Sequence, residues 1–356
     1  MKIAIDCRLI GQSGIGTFIE NVLNNIVCHE NVNFLLIGSK KYLHKYETYN
    51  NCTIFECTIR SFTLNELIKF PIKAINLCDA FFTPNFNIPI GIKVPIYSTI
   101  HDIVFFETDN FCSPLKRNIY KWYVKRALRI SKGIFTVSRF SKDRILKYFH
   151  SNADIKVIYN GISQELIDYQ LEHNKDKEKK GIVFLGNLKK HKGVQLLLKA
   201  YQKLIDNEIY MPLTIIGNFN FRTKDEEVVH LLKNNIQHIK FVSNATNQEV
   251  YDIISHSAVL VSPSYYEGFG IPPLEAMYLN TNVIISDIPT YKEIYKNYPV
   301  TFFKVGDSES LFLALYNFTY KQQDIKAKIE KQYNYKITSD NILQKICKLT
   351  KEQSIK

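Results

Sequence analysis

Residues 258–277 read Ala258-Val-Leu-Val-Ser-Pro-Ser264-Tyr-Tyr-Glu267-Gly-Phe-Gly270-Ile-Pro-Pro-Leu-Glu275-Ala-Met277. An apolar run of buried-strand character, AVLVSPS, opens directly onto a turn with two glycines. Two prolines then lead into a segment containing Leu274, Ala276 and Met277. Proline has no N–H to lose in the first turn of a helix, so Pro272 and Pro273 mark a helix start. Gly268 and Gly270 carry no side chain, so a ligand can come close to their amides. Strand, glycine turn and helix in that order are the repeating unit of open parallel sheets, which bind ligands beyond the carboxyl ends of their strands. The N–H groups at such a helix start attract an anion such as a diphosphate. Glu275 reads as part of the first helical turn, with its carboxylate leaning back toward the ligand. A carboxylate would repel a phosphate, so Glu275 suits the hydroxyl groups of a sugar or ribose. Glu267 stands at the strand exit, across the glycine turn.

The same alternation extends in both directions. Upstream, KIAID (2–6), NFLLIGS (33–39), AFFTP (80–84), PIYSTIHD (95–102) and GIFTVS (133–138) read as strands, with helical stretches between several of them. A glycine turn, QSGIGTF (12–18), follows the first. The polar stretch EHNKDKEKKG, beginning at 172, reads as a linker. Beyond it GIVFLGN (181–187), PLTIIGN (212–218), IKFVSN (239–244) and NVIISD (282–287) are further strands, and 193–206 has helical apolar spacing. The expected fold is α/β, with two Rossmann-like, doubly wound parallel-sheet domains facing across a cleft. The expected boundaries are 1–171, a linker at 172–180, 181–330, and a C-terminal helix at 331–356 that can return to the N-terminal domain.

A chain of 356 residues, 46% hydrophobic and 22% charged, can bury two cores and is neither disordered nor collagen-like. Its seven cysteines, at 7, 28, 52, 57, 78, 112 and 347, form no C-x2-C pair, which fits a reducing cytoplasm better than a disulfide framework or a zinc knuckle. The longest strongly apolar run, Leu311 to Tyr316, is far short of the roughly 20 residues a membrane span needs. Asp6 and Arg8 interrupt what would be a signal peptide's apolar centre. The net charge of +12 is concentrated: residues 113–150 hold eleven Lys or Arg and one acid, Asp143. Such an imbalance marks one surface for an anionic partner.

The segment SYYEGFGIPPLEAM, with seven residues between Glu267 and Glu275, closely resembles the signature of retaining glycosyltransferases of family four, which have the GT-B fold. The resemblance runs through SGIGTF, IHD (100–102), FTVSRFSK (135–142), VIYNGI (157–162) and LGNLKKHKGVQLLLKAY (185–201), and so covers nearly the whole chain. It is greatest to mannosyl- and related hexosyltransferases of bacterial surface polysaccharides such as O-antigen and capsule. The resemblance implies that Glu275 holds the ribose of a nucleotide-sugar donor. Glu267, with Gly268 and the amides of Phe269, Gly270 and Ile271, would touch the transferred sugar and the diphosphate, which Lys192 would neutralise. Many members carry an arginine where this chain has Asn187 or His191, so Lys190 or His191 would supply the second positive group. Gly14 and Gly16 would approach the diphosphate from the N-terminal domain, His101 would bond a sugar hydroxyl, and Asp102 would orient its loop. The base would meet main chain near Val242 and Ser243. Glu267, His101 and Lys192 form the expected catalytic set, and Arg8 is a further candidate for the cleft.

A dinucleotide loop is disfavoured, because the spacing is not G-x-G-x-x-G and Lys40 and Lys41 stand where a ribose-binding acid belongs. No D-x-D occurs, and the D-x-E pairs at 176–178 and 225–227 lie in charged, surface-like runs. The expectation is therefore an enzyme with no metal and no cofactor, its leaving group stabilised by amides, a helix dipole and Lys192. PLKRNIYKWYVKRALRIS (114–131) reads as a helix with Leu115, Ile119, Tyr123 and Ala127 on one stripe and Lys121, Lys125 and Arg129 on another. With Trp122, the basic row suits an anionic membrane surface; the resemblance implies a lipid-linked saccharide acceptor, and together they lead to the expectation of a cytoplasmic protein peripheral on the inner face of the plasma membrane. No helix-turn-helix, RNA-recognition or zinc-finger pattern supports nucleic acid as the partner. Two alternatives stand beside the transferase: a sugar-nucleotide epimerase or phosphorylase of similar architecture, and a basic nucleic-acid- or membrane-binding protein with a degenerate site.

Overall fold

The structure, a computed structural model, describes residues 1–12, 14–107, 113–173, 178–217, 228, 230, 231 and 238–354. It divides into two compact units, Met1–Asn160 with Tyr333–Lys356, and Gly161–Gln332.

The first unit is a seven-stranded sheet in the order β3-β2-β1-β4-β5-β6-β7. Its strands are β1 (Lys2–Asp6), β2 (Asn33–Gly38), β3 (Cys52–Glu56), β4 (Ala80–Thr83), β5 (Ile96–Thr99), β6 (Gly133–Thr136) and β7 (Ile155–Val157). Every pairing is parallel. Successive residues of a strand face opposite sides, and here both sides are buried, which is why the central strands are apolar throughout. Ile3 and Ile5 join one core with Phe18, Val22 and Leu23 of the helix Gly14–Ile26 and Ile342 and Ile346 of the helix Tyr335–Ser354. Ala4 joins the opposite core with Tyr123, Val124 and Ala127 of the helix Pro114–Ile130. Polar ties hold the C-terminal helix: the Tyr97 hydroxyl lies 3.0 Å from Thr350 Oγ1, and Lys345 Nζ donates to Asp154 Oδ2 at 2.8 Å.

The second unit is a six-stranded sheet in the order β10-β9-β8-β11-β12-β13. Its strands are β8 (Ile182–Leu185), β9 (Leu213–Ile216), β10 (Ile239–Val242), β11 (Val259–Ser262), β12 (Asn282–Ser286) and β13 (Thr301–Phe303), again all parallel. Leu197 and Leu204 of the helix Val194–Asp206 and Leu311 and Leu315 of the helix Ser308–Tyr316 cover one face. In each unit the chain works outward to one edge and then restarts beside its first strand. The switch points therefore lie between β1 and β4 and between β8 and β11, and it is there that open sheets place ligands.

Three strands lie outside the runs read as strands in the sequence: β3, β7 and β13. Each is an edge strand, and β3 exposes Thr53, Phe55 and Glu56. The division also differs from the expected linker at 172–180. The helix Gln164–Glu172 belongs to the second unit, where Ser163 Oγ lies 3.2 Å from the Tyr251 hydroxyl and the Tyr169 hydroxyl donates to Asp252 Oδ1 at 3.1 Å. The polar stretch after it therefore falls within the second unit, where its described residues 178–181 lead into β8; residues 174–177 lie outside the described residues. At the other end, the helix Lys326–Gln332 stays with the second unit through the Tyr278 hydroxyl, which donates to Glu330 Oε1 at 2.5 Å, and the chain changes units at Tyr333. No helix among the described residues is long and apolar enough to cross a membrane.

Candidate active site

At the β8/β11 switch point two loops are tied together. Gly193 has a φ of +70°, and a Cβ there would sit 1.9 Å from the Pro263 carbonyl oxygen, so the two main chains can approach only because position 193 lacks a side chain. The Tyr265 amide donates to the His191 carbonyl at 2.8 Å. Lys192 Nζ donates to Glu267 Oε1 at 2.7 Å, and Ser264 Oγ donates to the same oxygen at 2.8 Å. Both members of this ion pair are partly shielded from solvent. Lys192 immediately precedes the helix Val194–Asp206, and Glu267 lies just before the helix Ile271–Tyr278, so the pair sits at two helix N-termini.

Gly270 caps the second of these helices with φ +85° and ψ +77°, and a Cβ there would meet Tyr291 Cε1 at 2.3 Å. The first turn holds Pro272 and Pro273. They remove two of the unsatisfied N–H groups that begin any helix, leaving those of Gly270 and Ile271 directed off its end. Phe269 is buried at 2% exposure, so its contribution to a ligand would come from main chain. The helix begins at Ile271, so Glu275 lies in its second turn and not its first. The Glu275 carboxylate is recessed, with no hydrogen-bond or cationic partner among the described residues. Burial, and secondarily the negative charge of Glu165, push it up to about 7. Glu165 is itself held by Asn247 Nδ2 at 2.7 Å.

In the first unit, the helix Gly14–Ile26 starts at the glycine turn. A Cβ at Gly14 would meet nothing within 4 Å, so this glycine leaves the helix start open. Gly16 is different: a Cβ there would lie 2.0 Å from the Leu9 carbonyl oxygen, so its role is close packing of the chain on itself. His101 follows β5 and packs edge-on against Phe18 of the same helix at 4.8 Å. Its Nε2 lies 2.9 Å from the Pro84 carbonyl, and burial holds the imidazole down at about 4. The ring is therefore neutral at pH 7; with Nε2–H donating to Pro84, Nδ1 carries the lone pair. Asp102 Oδ1 accepts from the Val104 amide at 3.0 Å, which shapes the loop after β5.

Arg8 does not serve as a free cation. Its guanidinium bonds Asp6 through Nε at 2.8 Å and a terminal nitrogen at 2.7 Å, and also bonds Glu66 and the Ile59 carbonyl. It is 6% exposed and stacks over Phe70. Its charge is spent inside the first unit, fixing the segment around 59–66 beside β1.

Comparison with known proteins assigns this arrangement to a family. The family described as "Glycosyl transferases group 1" matches residues 168–334, and "Glycosyltransferase Family 4" matches residues 63–166. The fold matches Alr3699/HepE of Anabaena, solved with UDP and glucose, at TM-score 0.74 and 15% identity over 98% of this chain and 100% of that one. It matches sucrose-phosphate synthase of Thermosynechococcus elongatus at 0.75 and 16%, over 98% and 99%. The chain carries glycosyltransferase domains of the group 1 and family 4 types, and its fold is GT-B. Among its relatives, the O-antigen chain mannosyltransferase RfbU of Salmonella typhimurium is 30% identical over 236 residues, 66% of this chain and 62% of that protein. The O-antigen chain mannosyltransferase B of Escherichia coli is 25% identical over 223 residues, 59% and 58% respectively. The matched segments thus span less than two thirds of those relatives' own length.

Other residues of this glycosyltransferase fall less tightly around the switch point. Asn187 is exposed, and its Oδ1 accepts from the Lys189 amide at 3.3 Å. His191 is held down at about 4, first by burial and then by Lys192, so in this state it is not a second cation; Lys190 beside it is exposed. The Val242 carbonyl already accepts from the Gly217 amide at 3.0 Å, while Ser243 is exposed at the end of the edge strand β10. Of the D-x-E pairs at 176–178 and 225–227, Asp176, Asp225 and Glu227 lie outside the described residues.

The basic helix also departs from its expected face. The buried side chains are Tyr120, Tyr123, Val124 and Ala127. Leu115 and Ile119, read on one stripe with Tyr123 and Ala127, are 73% and 46% exposed, and Trp122 is 48% exposed. Arg126 is drawn inward onto the Ile88 and Pro89 carbonyls, with its guanidinium 5.8 Å from the Trp122 ring.

Residues that the sequence patterns missed include Ser264, Thr290, Tyr291 and Tyr295, all buried behind the Glu267–Gly270 turn. Only the i, i+4 pair of tyrosines after Pro289 hints at them.

Proposed function

We propose that this glycosyltransferase moves a hexose-type residue from a nucleotide diphosphate sugar, GDP- or UDP-linked, to a lipid-linked saccharide acceptor in bacterial surface polysaccharide synthesis. The reaction retains configuration at the anomeric carbon and needs no metal. The observation that carries this reading is the Lys192–Glu267 pair, set between two helix N-termini at a sheet switch point. Two helix dipoles and one ammonium group suit a diphosphate leaving group. The O-antigen mannosyltransferase relatives favour a hexose and a polysaccharide acceptor.

In this reading Lys192 and the amides of Gly270 and Ile271 hold the diphosphate, with Gly268 and the Phe269 main chain lining the turn. Glu267 bonds the transferred sugar while steadying Lys192. Glu275 accepts from the ribose hydroxyls, and the bare Nδ1 of His101 accepts from a sugar hydroxyl. Asn187 and His191 border the phosphates, Val242 and Ser243 the base, and Gly14 and Gly16 remain the first unit's candidates for the diphosphate. Retention follows from front-face substitution, in which the departing phosphate oxygen takes the acceptor's proton. Catalysis is then positioning and charge stabilisation.

The test is thermal protection by UDP-glucose, GDP-mannose and related nucleotide sugars, followed by acceptor-dependent release of UDP or GDP. No protection by any of them, or turnover independent of an acceptor, would overturn the proposal. Chelation with EDTA at constant ionic strength is expected to leave the rate unchanged, because Lys192 supplies the counter-charge. Metal-restorable loss of activity would refute this point.

We infer further that the helix Pro114–Ile130 rests on the inner face of the plasma membrane. Exposed Leu115, Ile119 and Trp122 supply the apolar contact, and Lys121, Lys125 and Arg129 the charge. Replacing these three cations with Gln should weaken binding to phosphatidylglycerol vesicles by about 100-fold, at roughly 1 kcal/mol per cation. Trp122 is the chain's one tryptophan, so its emission should shift to the blue on binding. Undiminished binding of the triple variant, or unmoved emission, would show that this helix is not the contact.

A further inference from the structure

The helix Pro289–Tyr295 follows β12 and sends three side chains, all fully buried, to the back of the Glu267–Gly270 turn. Thr290 Oγ1 donates to the Glu267 carbonyl at 2.7 Å. The Tyr295 hydroxyl donates to the Gly270 carbonyl. Between them, the Tyr291 ring fills the space that a Cβ on Gly270 would need, and its hydroxyl lies 2.6 Å from Ser262 Oγ at the end of β11.

The two bonded carbonyls are the ones that matter for an anion. A peptide unit is planar and trans, so its C=O and N–H point in opposite directions. The carbonyl of Glu267 belongs to the same unit as the N–H of Gly268, and the carbonyl of Gly270 to the same unit as the N–H of Ile271. A donor that holds each carbonyl from behind thereby aims the N–H forward, and it polarises the peptide so that the N–H becomes a stronger donor. Glycine is otherwise the residue least able to hold a peptide plane. Without these bonds, a turn built on Gly268 and Gly270 would have to be ordered by the ligand itself.

We propose that Thr290 and Tyr295 are positioning residues that preset the glycine turn for the donor's diphosphate, Thr290 by fixing the Glu267–Gly268 peptide and Tyr295 by aiming the Ile271 amide. The inference rests on the diphosphate reading of the turn given above. Neither residue touches the ligand; each acts through a main-chain unit of the loop.

The variants are Tyr295→Phe and Thr290→Val, each of which removes one donor from a packed side chain, and Thr290→Ser, which keeps the hydroxyl. Titrations compare UDP and GDP with uridine and guanosine, which have the same base and ribose but no phosphate. Loss of one of these two holds on the turn is expected to weaken diphosphate binding about five- to tenfold in Tyr295→Phe and Thr290→Val. Nucleoside binding should stay unchanged, and Thr290→Ser should restore the wild-type value. Equal diphosphate affinity in all three variants overturns the proposal. So does a parallel loss of diphosphate and nucleoside, which would mean a merely structural role. A wild-type protein that binds neither UDP nor GDP would instead overturn the diphosphate reading itself.

Discussion

Lys192→Ala is expected to lower the rate of sugar transfer by about 10²–10³-fold, the usual effect of removing one dedicated stabiliser of developing charge. The leaving diphosphate gains negative charge as the glycosidic bond breaks, and Lys192 is the ammonium group fixed at the switch point. Arg8 is consumed by Asp6 and Glu66, and His191 is neutral at pH 7, so neither replaces it. The fold should survive. The ion pair is partly solvated and worth about 1 kcal/mol at most, and Glu267 keeps its bond from Ser264. The partner variant gives a sign that a generic defect would not. Glu267→Gln releases Lys192 from its carboxylate, so UDP and GDP should bind more tightly while transfer still slows. Lys192→Ala should weaken the same nucleotides. Steady-state kinetics, nucleotide titrations and denaturant midpoints on both variants test this. An active Lys192→Ala protein would refute the phosphate role, and weaker nucleotide binding by Glu267→Gln would refute the competition between carboxylate and diphosphate.

What could be read in the sequence follows from how locally each feature is encoded. AVLVSPS, NVIISD and KIAID were legible as strands because both of their faces are buried, which leaves an unbroken apolar run. The edge strands β3, β7 and β13 have no such signature. EHNKDKEKKG is polar whether it links domains or loops within one. What decides is the docking of the preceding helix on Tyr251 and Asp252, more than eighty positions away. On the basic helix, an i, i+4 series advances 400° per step and so drifts by 40°. Leu115 and Ile119 therefore turn away from the face that Tyr123 and Ala127 bury.

The site divides in the same way. Lys192, Glu267 and Gly270 lie in short turns whose glycines advertise close approach. Arg8 also reads as a cation at a strand exit, but Glu66, fifty-eight positions on, neutralises it. Thr290 and Tyr295 reach carbonyls more than twenty positions earlier, and a hydroxyl bonded to main chain leaves no spacing pattern. Gly14 and Gly16 look equivalent in the sequence; only the Leu9 carbonyl distinguishes them.

Binding of UDP-glucose or GDP-mannose is expected to strengthen by about tenfold from pH 6 to pH 8, and Glu275→Gln should abolish that dependence. A ribose diol donates to a carboxylate far better than to a carboxylic acid. With Glu275 pushed up to about 7, the ionised form is the minority at pH 6 and the majority at pH 8. His101 and His191 are both held at about 4, so neither titrates in this window. Nucleotide sugars are the right probes, because their diphosphate is esterified at both ends and has no ionisation between pH 6 and 8. Stability should move the opposite way. The folded-state value lies above the unfolded one, so the favourable contribution is present below the ordinary carboxylate range and is lost as pH rises through about 7. Glu275→Gln should therefore match the wild type at pH 4 and be more stable by about 2 kcal/mol at pH 8, allowing for the carboxylate's remaining contact with solvent. A substitution that stabilises the fold while weakening the ligand identifies a group kept in an unfavourable setting for its function. A Glu275→Gln protein with unchanged stability at pH 8 and unchanged pH dependence of binding would mean that this carboxylate is solvated and remote from the ribose.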